Sequence, residues 1–373
     1  MKAKNEPTMT SVPPPEQPSP NPKPVLPPQI LAELRTIFPP APQDEYASVG
    51  CCASTKKDIT ICYNTFGKPS DPCMLLIMGL NSPAPYWDTR FCMYLAAAGF
   101  YVIRYDNRDV GLSTHFDEFP TPNILRLALP SWASVGEAPL PYTLEDMAAD
   151  AVGLLRALKI TKAHVVGCSM GGMIAQLIAL QYPEFVASLC LHSTSAGVAW
   201  PKPKMLVSLL DGPESPRDVE SVLDYRVRFY KAMSGDMTFY EHEFRLGMWW
   251  DFVRSSYVAG AGRHLAAIAR SSDRSALLRA RLNPIESPSA ASSPSSSSSS
   301  ADCGGAALRV PVVVLHGGKD PIIPVENGRH LADCIHGSKL VIFPHMGHYF
   351  SKDMFKLLAD EMMLNARSVV VTE

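Results

Sequence analysis

Short, mainly apolar runs recur along this chain and are separated by segments of helical periodicity, and that alternation limits the folds open to it. Met74-Leu75-Leu76-Ile77-Met78 is followed by a helical stretch over 91–98, with Gly99 suited to its C′ position. Tyr101-Val102-Ile103-Arg104-Tyr105 comes next, and then a helix that opens at Thr143 with Asp146 as a capping-box partner. Met147, Ala151, Leu155 and Leu158 lay an apolar stripe along that helix. Ala163-His164-Val165-Val166, residues 186–191, 310–315 and 340–343 continue the series, with a helix predicted over 170–181. Continuous apolar strands alternating with helices predict an α/β fold whose mostly parallel sheet is covered by helices on both faces.

Other segments interrupt the pattern. Residues 1–45 are dense in proline, as in Pro13-Pro14-Pro15 and Pro39-Pro40, and are expected to form a disordered or polyproline tail, within which 30–38 could dock as a helix. Residues 198–283 are rich in helical patterns and aromatics and predict a helical cap inserted between two core strands. Residues 284–307, with serine at every position from 295 to 300, predict a flexible surface loop. The core is therefore divided into 46–197 and 308–373.

Composition excludes some classes of function. Lys and Arg total 34 against 36 Asp and Glu, so no basic surface for nucleic acid is expected. No apolar run is long enough for a transmembrane segment, although peripheral membrane contact stays open. Residues 1–10 carry no apolar stretch of the secretory type. The nine cysteines lack metal-type spacing, and those at 62, 92 and 190 have apolar neighbours, so a reduced, cytoplasmic protein without metal or cofactor is expected. Cys51 and Cys52 are read as surface thiols, with acylation as the alternative.

Gly167-Cys168-Ser169-Met170-Gly171 fits G-x-S-x-G directly after a strand and directly before a helix. The pattern alone would arise by chance about 0.1 times in a chain of this length, so its context carries the weight. A strand-to-helix turn of this kind forces the residues two before and two after the serine together, which only small residues allow. Serine needs a base and the base needs an orienting acid, in the chain order Ser, Asp or Glu, His. His348 lies in the loop after the final strand, with His345 as runner-up. Asp320 lies in the turn after the penultimate strand, and the segment after the strand before it, His192-Ser193-Thr194-Ser195-Ala196, offers no competing acid. The oxyanion donors are expected to be the backbone N–H groups of Met170 and Leu80, the latter in the Met78-Gly79-Leu80-Asn81 loop, where the Asn81 amide could help instead. Asn81, Met248, Trp249 and Trp250 are candidate pocket residues.

Together these residues resemble the α/β-hydrolase fold family over about 46–365. The stretch 103–114, Ile103-Arg104-Tyr105-Asp106-Asn107-Arg108-Asp109-Val110-Gly111-Leu112-Ser113-Thr114, is similar to a loop of aclacinomycin methylesterase and its relatives, as are 163–172 and 78–81. The resemblance implies a carboxylesterase for small molecules, with a helical cap, no cofactor and a triad of Ser169, Asp320 and His348. It departs from the family at Leu80, where relatives tend to have glycine, and in the proline-rich and serine-rich segments. The expected reaction is hydrolysis of a small hydrophobic ester. A lipase or thioesterase, a cofactor-free perhydrolase and a scaffold acting through the proline-rich tail are the alternatives. Sequence leaves the oligomeric state open.

Overall fold

In a computed structural model of the chain, the structure describes residues 27–122, 140–215, 218–255, 257–282 and 309–369. Helix α1 (Pro28–Ile37) precedes strands β1 (Glu45–Cys51), β2 (Asp58–Phe66) and β3 (Cys73–Ile77). Helix α2 (Thr89–Ala97), β4 (Tyr101–Tyr105), α3 (Leu144–Ala157), β5 (Ala163–Cys168), α4 (Met170–Gln181) and β6 (Val186–His192) follow. Helices α5 (Pro203–Leu210), α6 (Val219–Met233), α7 (Glu241–Arg254), α8 (Gly260–Ala269) and α9 (Ser275–Arg281) then come before β7 (Val312–Gly317), α10 (Val325–Cys334), β8 (Lys339–Phe343) and α11 (Phe355–Arg367).

The strands form one eight-stranded sheet in the order β1-β2-β4-β3-β5-β6-β7-β8. β1 and β2 pair antiparallel, β2 runs antiparallel to β4, and every pairing from β4 to β8 is parallel. Alternate residues of the central strands feed opposite cores, as the pleat requires. Leu75, Ile77 and Val165 pack with Met147, Ile174 and Leu331 on one face. Met74, Leu76 and Val166 pack with Phe91, Leu95 and Leu358 on the other. α4 is buried from Met170 through Leu180, which is why its sequence is apolar all round.

Local signals behave as the residue types dictate. Thr143 caps α3, its hydroxyl accepting from Asp146 N at 3.2 Å while the Asp146 carboxylate accepts from Thr143 N at 3.0 Å. Gly99 sits at φ 92 just past α2, a conformation that costs a side-chain-bearing residue energy.

The 30–38 segment does fold. Within the span assigned to a disordered tail, residues 28–37 are helical, with Leu34 buried and Glu33 within 2.6 Å of the His242 ring on α7. Its apolar face gains a partner there, which outweighs the preference of the surrounding prolines. Residues 1–26 and the serine-rich loop expected at 284–307 lie outside the described residues. The cysteine reading needs one correction. Cys51 is exposed, but Cys52 is buried and its sulfur accepts from Arg108 Nη1 at 3.0 Å. Among the described residues no helix is long and apolar enough to cross a membrane.

Candidate active site

The strand order reverses direction at β3: β4 was added on one side of it and β5 on the other. Loops leaving the carboxyl ends of β3 and β5 therefore diverge and leave a crevice between them. Register pairs Ile77 with Gly167, so Gly79 and Ser169 leave the sheet side by side. A Cβ on Gly79 would stand 3.1 Å from that of Ser169.

Ser169 occupies the turn between β5 and α4 at φ 57, ψ −121, a backbone state that L-residues adopt at a cost. Close packing holds it there. A Cβ on Gly171 would collide with the Ile77 carbonyl, and one on Gly167 with the Gly171 carbonyl. The Ser169 N–H donates to His192 O at 2.9 Å, and its carbonyl accepts from the Thr194 hydroxyl at 2.7 Å.

The three side chains singled out in sequence meet at this turn. His348 Nε2 is 3.1 Å from Ser169 Oγ, and His348 Nδ1 is 2.7 Å from Asp320 Oδ2. Asp320 is fully buried. Its other oxygen, Oδ1, accepts from Ile322 N at 2.9 Å and Ile323 N at 2.8 Å. Burial alone would raise its pKa, but the charge and hydrogen bond of His348 and the nearby His316 outweigh that and leave it lowered. The histidine loop is anchored from the helical insertion, because His348 N donates to Met233 O at 2.8 Å, at the end of α6. His345 points elsewhere: its ring is largely exposed and lies 3.2 Å from Asp236.

Met170 is the first residue of α4, so its N–H has no intrahelical acceptor. Leu80 lies across the crevice from it, and both line one cavity with Ser169 and His348. Two groups that sequence reasoning passed over hold the Leu80 loop. Asn107 Nδ2 donates to Met78 O at 3.0 Å. Asn81 N donates to His264 Nδ1 at 3.2 Å, while His264 Nε2 contacts Arg108 O at 2.8 Å. With a carbonyl at Nε2, that nitrogen carries the proton and Nδ1 is free to accept. Burial lowers the His264 pKa, which keeps the ring neutral and this tautomer in place. α8, which carries His264, is itself pinned by the neighbouring Arg263, paired with buried Asp109. No motif announces His264, since its partner lies 183 positions away.

The cavity measures about 1190 Å³ and is walled largely by apolar side chains. Met248 and Trp250 line it, whereas Trp249, one helical step away, packs with Phe244 and Phe252 between α6 and α7. Asn81 does not line the cavity; its backbone N–H is committed to His264. Leu31, Leu34 and Phe38, from α1 and the residue after it, complete the wall from the N-terminal side.

Of the other buried histidines, His192 lies beside the site at the end of β6 and His164 at the far end of β5. Burial lowers the pKa of His164 to about 4. It lowers that of His192 to about 3, aided by the positive charges of His348 and His316. An unfolded histidine titrates near 6.5, so below that pH the unfolded chain takes up protons that the folded chain refuses. The contribution to stability is complete above pH 6.5 and is lost as pH falls. At pH 5 each such histidine is expected to cost on the order of 2 kcal/mol relative to pH 8. Urea unfolding at the two pH values checks this, and His192→Phe should flatten the acid slope.

Known proteins share this fold. A family model described as alpha/beta hydrolase fold matches residues 72–353. Rhodomycin D methylesterase DauP of Streptomyces sp. (strain C5) is 28% identical over 338 residues, covering 85% of this chain and 98% of that protein. Rhodomycin D methylesterase DnrP of Streptomyces peucetius is 26% identical over the same length, again covering 85% of this chain and 98% of its own. Among solved structures, a hydrolase from Pseudomonas aeruginosa PA01 superposes with a TM-score of 0.57 at 20% identity, over 87% of this chain and 98% of its own.

Proposed function

Because the chain belongs to the α/β-hydrolase fold family, we propose that it is a serine carboxylesterase acting on a hydrophobic ester through Ser169, His348 and Asp320. The observation that carries this reading is the continuous contact from Ser169 Oγ through the His348 ring to Asp320, at 3.1 and 2.7 Å. Similarity to two rhodomycin D methylesterases along almost their whole length supports an ester as substrate, and the large apolar cavity supports a bulky one.

His348 Nε2 takes the proton of the Ser169 hydroxyl as Oγ bonds to the ester carbonyl carbon, and the carbonyl electron pair moves onto oxygen. The N–H groups of Met170 and Leu80 hold that oxyanion, at the positive end of α4. When the intermediate collapses, the alkoxide leaves with the proton from His348 and the acyl group stays on Oγ. Water then gives a proton to His348 and its oxygen attacks the acyl carbon. Collapse of this second intermediate breaks the bond to Oγ, which recovers its proton, and the carboxylic acid departs. Asp320 keeps the imidazole in the tautomer that leaves Nε2 free to accept and stabilises the imidazolium formed in each half-reaction. A panel of methyl esters from small to polycyclic acids tests the reading by release of free acid. Hydrolysis of none of them, by folded protein, would refute it.

The proposal gives His264 a positioning role. His264→Phe fills the same space but deprives Asn81 N of its acceptor, so the Leu80 loop loses its fixed height beside Ser169. A kcat lower by roughly 10- to 100-fold with KM little changed is expected. Steady-state kinetics beside a thermal melt separates this from general unfolding, which would lower active enzyme without that split.

A further inference from the structure

The cavity is not uniformly apolar. On α7, Asp251 contributes to its wall while remaining only 7% exposed. Among the described residues its carboxyl accepts no hydrogen bond and makes no ion pair, although a buried carboxyl ordinarily has a partner. The cations near it are committed elsewhere. Arg254 is held by Asp44 and Asp106, each at 2.9 Å. Arg104 donates to Asn64 Oδ1 at 3.1 Å and Trp87 O at 2.5 Å.

One helical turn away, Met248 is flanked by two donors. Tyr86 OH lies 3.2 Å from its sulfur and Arg226 Nη1 lies 3.6 Å from it. A thioether is a weak acceptor, so Arg226 gains little from it, while the Tyr86 hydroxyl also pairs with that of Tyr230. The Tyr230 ring, also in the cavity wall, stands 5.9 Å from that of Tyr86. Arg226 and Asp251 influence each other electrostatically yet form no ion pair among the described residues. A purely structural pair would close that gap, because an ion pair kept out of water and apart forfeits most of its attraction.

We propose that Asp251, Tyr86 and Tyr230, with Arg226 behind them, form a polar subsite that takes a hydroxyl- or carbonyl-bearing portion of an otherwise apolar ester. The inference rests on the esterase reading above and narrows it, from hydrophobic esters in general to oxygenated ones. A plain acyl chain would leave the buried Asp251 carboxyl without a hydrogen-bond partner, whereas a substrate hydroxyl can donate to Asp251 and accept from Tyr86. Burial raises the Asp251 pKa to about 7, so near neutral pH its carboxyl can also donate to a substrate carbonyl. Sites that hydrogen-bond a substrate hydroxyl discriminate strongly against the analogue that lacks it, because the site's own groups are then stranded.

The test is a binding comparison on Ser169→Ala protein, which cannot complete turnover. Titration calorimetry with methyl 6-hydroxy-2-naphthoate is compared with methyl 2-naphthoate and methyl decanoate. The hydroxylated ester is expected to bind roughly 10- to 100-fold more tightly than its parent, and Asp251→Leu in the same background is expected to erase most of that preference. Asp251→Asn, which keeps the shape, and Tyr86→Phe should each reduce it if the leucine variant does not fold. Equal binding of hydroxylated and parent esters, or a preference that survives all these substitutions, overturns the subsite. Wild-type turnover of the same esters is measured in parallel. If wild type cleaves none of them while the binding preference holds, the esterase reading fails and the subsite stands.

Discussion

Alanine in place of Ser169 is expected to lower kcat for any ester the protein hydrolyses by about a millionfold and to abolish covalent labelling by a fluorophosphonate. The size of the effect follows from the chemistry being indivisible. His348 has no proton to take without Oγ, and no acyl group can be stored, so losing the nucleophile costs about as much as losing the whole triad. What remains should be the modest rate that the Met170 and Leu80 N–H groups and the cavity give to direct attack by water. Folding should survive. The backbone contacts of residue 169, to His192 O and from Thr194 Oγ1, do not involve its side chain, and alanine is no larger than serine. Circular dichroism and the melting temperature should therefore match wild type while activity disappears. Retained labelling in the variant would show that another residue carries the reactive group.

What could be read in the sequence and what could not divides along the range of the interactions. The elbow is local: a strand, a strained turn with glycines on both sides and a helix N-terminus all lie within a dozen residues, and each leaves its mark on residue type. The buried parallel strands are similarly legible because both faces demand apolar side chains. β1 and β2 escaped because they lie in the antiparallel part of the sheet, where β1 keeps only Ala47 buried and no continuous apolar run forms. α1 was half-visible as an apolar run, but only its packing against α7, which is 209 positions away at the Glu33–His242 contact, decides that it folds. His264 and Asp251 were out of reach for the same reason. A histidine that steadies a loop and a carboxyl left open in a cavity differ from surface residues only in what the fold brings to them. Trp249 and Trp250 show the limit within one helix. Neighbours in sequence project about 100° apart, so one lines the cavity and the other packs between helices. The motif at 103–114 is legible as a unit because nearly every polar residue in it is spent: Asp106 accepts from Ala84 N and Leu112 N, Asn107 holds Met78 O, Arg108 pairs with Asp150, and Asp109 with Arg263.

Asp320→Asn should cost kcat about ten-thousandfold with the fold intact, and the surroundings of the carboxylate say why so small a change does so much. Asp320 Oδ1 accepts two backbone N–H groups, from Ile322 and Ile323, and Oδ2 accepts the His348 Nδ1 proton. An asparagine must choose which of these sites receives its NH2. Turning the NH2 toward Ile322 and Ile323 would oppose it to two donors in a fully buried place, losing two hydrogen bonds and leaving their N–H groups unpaired. The amide oxygen therefore stays with the backbone donors and the NH2 faces His348. A donor there requires Nδ1 to be the acceptor, so the ring proton moves to Nε2, the atom that must take the proton of Ser169. The base is then present, correctly placed and in the wrong tautomer. Two measurements separate this from simple loss of charge. Activity should rise with pH in the alkaline range, where serine deprotonates without help from the ring. The His348 ring nitrogens, followed by 15N NMR, should show Nδ1 as the unprotonated nitrogen at neutral pH, whereas wild type should show Nε2. An Asp320→Asn protein with near-normal kcat and the wild-type tautomer would mean that the carboxylate at 320 does not govern the imidazole at 348.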